Sequence, residues 1–277
     1  RQYYPDVGVI EYEGDLCEGL RWGRGAQYNR NGVTLTDGEW LDGEHVEKIV
    51  VLSEDSAWLH NHIEELVVGD NCCNGEEWKE LDLRCFFLLR ELTVGNQCFK
   101  NVEVFKCRQL SALERVVIGE NSFANSTGGL QVSGCEALRE LSVGKDSFVK
   151  YNYVGVSGVP LLESLRVEEG SFRDGSELRL EGLSGLKKVV IGSGCFSEAS
   201  GRCVMANCGV LSEVSVGNGA FAEYRALEVS GLSGLEVLRI GSGCFKNTEA
   251  LRLEALNGLK RVEIGSSSFS EKSGVLS

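Results

Sequence analysis

The sequence predicts a mainly β solenoid of about nine coils, each of 24–26 residues, entered through a short β-hairpin region. Three observations carry that expectation. A Val/Ile-Gly step followed four residues later by an aromatic recurs through residues 63–277. Each recurrence contains two apolar runs with strand spacing. The chain also has 35 Gly against 2 Pro without low complexity, as expected where tight turns needing positive φ fall at fixed positions.

The repeat is plainest in residues 182–196, GLSGLKKVVIGSGCF, and in the near copy at 231–245, GLSGLEVLRIGSGCF. Aligned on it, the glycine slot reads Gly69, Gly95, Gly119, Gly144, Glu168, Gly192, Gly217, Gly241 and Gly265. The aromatic slot reads Cys73, Phe99, Phe123, Phe148, Phe172, Phe196, Phe221, Phe245 and Phe269. An L-x-L run, such as Leu178 and Leu180, precedes an L-x-x-L-x-x-V-x-I run, such as Leu183, Leu186, Val189 and Ile191. Period-two spacing puts Val189 and Ile191 on one face of a strand. The glycine then turns the chain, and the aromatic returns to the interior. No single coil buries these residues alone, so a stacked core is required. At ~4.8 Å per strand, nine coils stack to roughly 40 Å.

Residues 1–46 follow another pattern: Tyr12, Gly14, Gly19, Trp22, Gly23, Gly25, Tyr28, Asn31-Gly32 and Gly38-Glu39-Trp40. The aromatics suit strands, Asn31-Gly32 suits a hairpin turn, and Gly23 and Gly25 allow close backbone approach. Residues 47–62 read as a linker or transition coil, with a short strand at Ile49 to Val51 and an irregular stretch around Trp58.

Two resemblances sharpen these readings. The L-x-x-L-x-x-V-x-I-G-x-x-S-F units resemble leucine-rich repeats of the BspA-like variety. That implies a right-handed leucine-rich-repeat solenoid, flatter and shorter-coiled than the receptor horseshoe. Residues 1–46 resemble MORN repeats, the end of a longer array serving as a cap on the first coil or contacting membrane or cytoskeletal partners.

Eleven Cys is an odd count, against a disulfide framework. Cys98, Cys195 and Cys244 share a slot with Ser122, Ser147, Ser171, Ala220 and Ser268, whereas Cys107, Cys135, Cys203 and Cys208 stand at Leu or Val positions. Core packing of reduced thiols in a cytoplasmic protein is the expectation. Cys72 and Cys98, in adjacent coils, are the pair to watch for a bridge. The alternative location is the cell surface or outside the cell.

The chemistry that these residues exclude is broad. A formal net charge of -13 disfavours nucleic acid and anionic membranes. His45, His60 and His62, with Cys72 and Cys73, lack metal-site spacing. No His follows His62, so a Ser-His-acid arrangement has no place in the array. No nucleotide loop or metalloprotease motif occurs, and no catalytic residue, cofactor or metal is expected.

What remains is surface. Glu114, Glu140, Glu163, Glu213, Glu236 and Glu263 are placed outward, on a solvated face. The outward cations Arg166, Arg179, Lys187, Lys188, Arg239 and Arg252 are the candidate protein anchors. The expected function is a non-catalytic protein-interaction scaffold or adaptor. The alternatives are a cell-surface or secreted recognition protein, and the targeting region of an enzyme whose catalytic domain lies elsewhere. A chain opening on Arg1, with Phe269 followed by Val275 where another L-x-L would begin, suggests a longer protein or self-association through the solenoid end.

Overall fold

A computed structural model describes residues 1–53 and 59–270; Trp58 and Val275 lie outside the described residues. Its regular elements are all strands. Ten form one parallel sheet: Ile49–Leu52, Glu65–Val68, Glu91–Val94, Arg115–Ile118, Glu140–Val143, Ser164–Val167, Lys188–Ile191, Glu213–Val216, Val237–Ile240 and Arg261–Ile264. Eight form a second: Glu80–Asp82, Val104–Arg108, Gly128–Ser133, Tyr151–Ser157, Glu177–Glu181, Arg202–Ala206, Ala226–Ser230 and Ala250–Glu254. The chain passes from one sheet to the other and back, one strand of each per turn. The result is a β-solenoid of about eight turns.

The fold class is therefore the expected one, with a different count. All nine Val/Ile steps are strands, and Ile49–Leu52 adds a tenth by pairing in parallel with Glu65–Val68. The linker thus supplies a strand to the sheet. Eight turns close among the described residues, because the ninth L-x-L would fall beyond Ser270.

Strand pairing is in register, so equivalent residues of successive coils stand side by side, as Leu165 beside Val189 and Leu180 beside Met205. Inward and outward residues alternate along most of the solenoid strands: Leu141 and Val143 are buried, Glu140 and Ser142 half-buried. The apolar L-x-x-L positions close the third side, with Leu183 and Leu186 fully buried. One hydrophobic core runs from Leu52 to Phe245.

The aromatic slot closes the remaining side. Successive rings from Phe99 to Phe269 stack with centroids 4.5 to 5.4 Å apart. The eight phenylalanines and Cys73 all have φ between 50° and 59°, the left-handed region. A bulky residue there costs about 1–3 kcal/mol. Two gains offset it: a ring fully removed from water, worth ~1.5–3 kcal/mol, and a backbone bond to the preceding coil. The Phe148 N–H donates to the Ser122 carbonyl at 2.9 Å, and Phe221 to Cys195 at 2.9 Å.

This overturns the expected division of labour at the corner. The slot glycines do not carry the positive φ. They are small because the coils approach each other there. A Cβ on Gly119 would lie 2.5 Å from the Gly95 carbonyl oxygen, and one on Gly192 would lie 2.4 Å from the Glu169 nitrogen. Glu168 fills the slot once and keeps the N–H bond to the Val143 carbonyl at 2.9 Å. The turn itself is made two residues later, at Asn71, Gln97, Asn121, Asp146, Gly170, Gly194, Gly219, Gly243 and Ser267, all with positive φ. Asn, Asp and Gly accept that conformation most readily.

The small slot before the aromatic is a hydrogen-bond ladder. Ser147 Oγ accepts the Ser122 N–H at 3.1 Å and donates to the Gly119 carbonyl at 2.7 Å. Cysteine reproduces the donor half: Cys98 Sγ reaches the Gly69 carbonyl at 2.9 Å, and Cys195 Sγ the Glu168 carbonyl at 3.0 Å. Ser and Cys interchange because either is small and able to donate.

Residues 1–46 form a separate antiparallel meander: Gln2–Tyr3, Ile10–Cys17, Leu20–Tyr28, Thr34–Leu41 and Glu44–Val46. Its centre is Tyr12 edge-on to Trp40 at 5.2 Å, with the Arg21 guanidinium 5.0 Å from each ring. The glycines make room for these rings. A Cβ on Gly25 would lie 2.1 Å from the Tyr12 hydroxyl, and Gly14 stands opposite Gly25. Gly23 instead takes a positive φ of 64°. Tyr12, Trp40 and Val46 are buried but do not belong to the solenoid core, so the two units have distinct hydrophobic clusters.

Two pairs of substitutions separate these roles. Gly192→Ala should lower stability by ~1–3 kcal/mol through overpacking, against about 1 kcal/mol for Gly194→Ala, where the only cost is positive φ. Denaturant midpoints read the difference, and equal losses would refute the close-approach role. Ser147→Ala should cost ~1–3 kcal/mol by orphaning a buried N–H and a carbonyl. Ser147→Cys should stay within about 1 kcal/mol in the same assay.

Candidate binding surfaces

In-register stacking converts each outward position into a column running along the solenoid. The column preceding the strands of the ten-stranded sheet reads Lys48, Glu64, Arg90, Glu114, Arg139, Glu163, Lys187, Ser212, Glu236, Lys260. Its charges alternate in sign, with one interruption at Ser212. Neighbours pair along it: Lys48–Glu64 at 2.6 Å, Arg90–Glu114 at 2.9 Å, Arg139–Glu163 at 3.0 Å, Lys187–Glu163 at 2.8 Å and Lys260–Glu236 at 2.7 Å. Hydrogen bonding from Lys187, then its charge, then Arg139, holds the Glu163 carboxyl below its ordinary pKa. Exposed pairs of this kind contribute ~0–1 kcal/mol each. Their alternation still penalises misalignment, because a slip by one coil would bring like charges together.

The six candidate cations fall on two faces. Lys187, Lys188, Arg166 and Arg239 belong to the ten-stranded side, Arg179 and Arg252 to the eight-stranded sheet. They do not form one patch. Each is also ion-paired: Arg166 with Glu168 at 3.3 Å, and Arg179 with Glu177 at 3.4 Å and Glu181 at 3.0 Å. Lys188 pairs with Glu213 at 3.0 Å, Arg239 with Glu213 and, at 3.0 Å, with Glu263, and Arg252 with Glu254 at 2.7 Å. All six outward glutamates singled out in the sequence, Glu114, Glu140, Glu163, Glu213, Glu236 and Glu263, are thus partners of cations one coil away or on the same strand. Writing the columns side by side, rather than one strand at a time, exposes this pairing.

The middle outward column of the ten-stranded sheet runs Val51, Val67, Thr93, Val117, Ser142, Arg166, Val190, Ser215, Arg239, Glu263. It changes character along its length. The first five residues are uncharged and mostly β-branched; charge enters at Arg166. The matching column of the other sheet, Asp82, Lys106, Gln131, Gly155, Arg179, Val204, Glu228, Arg252, has no such division.

His45 belongs to the meander, His60 and His62 to the linker, and Cys72 and Cys73 to the first coil. His45 packs edge-on to Trp40 at 5.4 Å, and His60 and His62 rings stand 6.5 Å apart. Cys72 and Cys73 are buried in the solenoid core. Among the described residues no group of three or more His, Cys, Asp or Glu is placed to hold a metal ion. None of their helices is long and apolar enough to cross a membrane. All eleven cysteines are unbridged, nine of them buried and Cys17 and Cys85 exposed. Burial pushes the Cys195 and Cys203 thiols up to about 12 and raises Cys98, Cys208 and Cys244.

Compared with family models, with curated proteins and with solved structures, the chain matches none.

A buried thiol is out of the reagent's reach, and where burial also raises its pKa it stays protonated near neutrality. Iodoacetamide at about pH 8 should therefore label the native protein at Cys17 and Cys85 alone, and all eleven cysteines only after denaturation. Peptide mapping by mass spectrometry checks this, and native labelling of Cys195 or Cys203 would contradict their burial in the core.

Proposed function

We propose that the chain is a non-catalytic protein-interaction scaffold, a leucine-rich-repeat solenoid preceded by MORN-type hairpins, working in the cytoplasm. One observation carries the reading. The inward slots repeat the same few residue types coil after coil, while the outward columns change from coil to coil. Stacking fixes the aromatic, leucine, glycine and Ser/Cys positions and leaves the outward ones open. A rigid, extended surface whose side chains vary against a constant backbone suits recognition of another polypeptide. The buried thiols fit a reducing compartment.

A photo-crosslinking residue tests this at Val190, outward on the ten-stranded sheet, and at Glu228, outward on the eight-stranded sheet. Installed in cells that make the full chain, the probe at one of the two faces should yield a discrete protein adduct and the probe at the other should not. Absence of adducts from both faces would overturn the scaffold reading.

A further inference from the structure

The acidic excess of the chain lies at one end. Residues 1–90 hold 19 acidic and 8 basic residues, residues 91–277 hold 22 and 20. Within the acidic end, the ten-stranded sheet carries two carboxylates that the pairing scheme leaves over. Glu65 and Glu91 stand directly beside each other in the parallel register. Neither takes part in an ion pair among the described residues. The other strand glutamates of that face all do: Glu140 with Arg115 at 3.1 Å, Glu213 with Lys188 at 3.0 Å, and Glu263 with Arg239 at 3.0 Å. Of the cations beside them, Arg90 bonds to Glu114, and Arg115, the register neighbour of Glu91 on the next strand, bonds to Glu140. Adjacent like charges on a sheet are destabilising, so Glu65 and Glu91 work against the fold that holds them.

Alongside them runs the uncharged end of the middle column. Val51, Val67, Thr93 and Val117 give four successive strands β-branched side chains at one spacing. Ile49 and Val51 are 53% and 63% exposed, and Phe87, on the turn leading into Glu91–Val94, is 50% exposed. Ile49 and Val51 exposed on the same face as two carboxylates that form no ion pair match a partner that is apolar and cationic on the same side.

We propose that the first four strands of the ten-stranded face dock a cationic, extended polypeptide segment. Apolar residues of the segment lie along Val51, Val67, Thr93 and Val117, and its Lys or Arg side chains meet Glu65 and Glu91. The proposal rests on the scaffold reading and names the chemistry of its partner.

The probe is a fluorescein-labelled peptide of alternating Lys and Val, titrated with the full chain at low salt and followed by anisotropy. Binding is expected, together with at least about tenfold weaker binding to the Glu65→Gln/Glu91→Gln variant. Glu228→Gln, on the other sheet, should leave the affinity within about twofold, and a peptide of alternating Glu and Val should not bind. The double variant should melt no lower than the parent, because a like-charge contact is relieved; a merely structural role would lower the melting temperature. Equal binding of parent and double variant, or no binding of the Lys-Val peptide, would overturn the proposal. So would loss of a self-associated species in the double variant without loss of peptide binding, which would make the occupant a second copy. A discrete crosslinked adduct combined with any of these results would leave the scaffold reading standing.

Discussion

Closing a coil tightly enough to stack on its neighbour is the constraint on which the solenoid depends. Strands in a sheet stand ~4.8 Å apart, so each corner has to be built within that height and without leaving polar groups unpaired. The aromatic corner does this by an expensive route. It places phenylalanine in a conformation usually left to glycine, and recovers the cost by stacking the ring and bonding its N–H to the coil before. Every other local feature follows from that height. The slot glycine has no Cβ because the neighbouring carbonyl already occupies its place. The Ser or Cys beside it is small and donates to that same carbonyl. Only Ala220 lacks the donor.

Much of this was legible in the sequence. Alternating Val and Ile, the L-x-L runs and the recurring Phe fix strands, sheet and core, since periodicity reports which side of the backbone faces inward. The distribution of backbone strain was not legible. Glycine at a turn is ordinarily read as a residue freed for positive φ, yet Gly119 and Gly192 are there for space, and Phe148 and Phe196 carry the unusual φ. A tell-tale existed two residues after each slot glycine, where Asn71, Asn121, Asp146, Gly194 and Gly219 share a tolerance for the left-handed region. The position of Ile49–Leu52 was half legible: its apolar run marks a strand, and only its register with Glu65–Val68 makes it part of the sheet. Pairing along the columns was invisible for a different reason. Arg139 and Glu163 are 24 residues apart in sequence and neighbours only once the coils stack.

That pairing also changes which outward residues are available to a partner. A cation read from sequence is a candidate anchor; a cation held by two carboxylates, as Arg179 is by Glu177 and Glu181, has to be released before it can anchor anything. Release trades one exposed ion pair for another, with little net gain. Glu65 and Glu91 differ. Among the described residues neither is in an ion pair that would have to be broken, and their mutual repulsion is relieved by any partner that supplies positive charge. Since all six expected anchors sit in internal pairs, the proposed docking through the leftover carboxylates and the β-branched column beside them disrupts fewer ion pairs than docking through those anchors would.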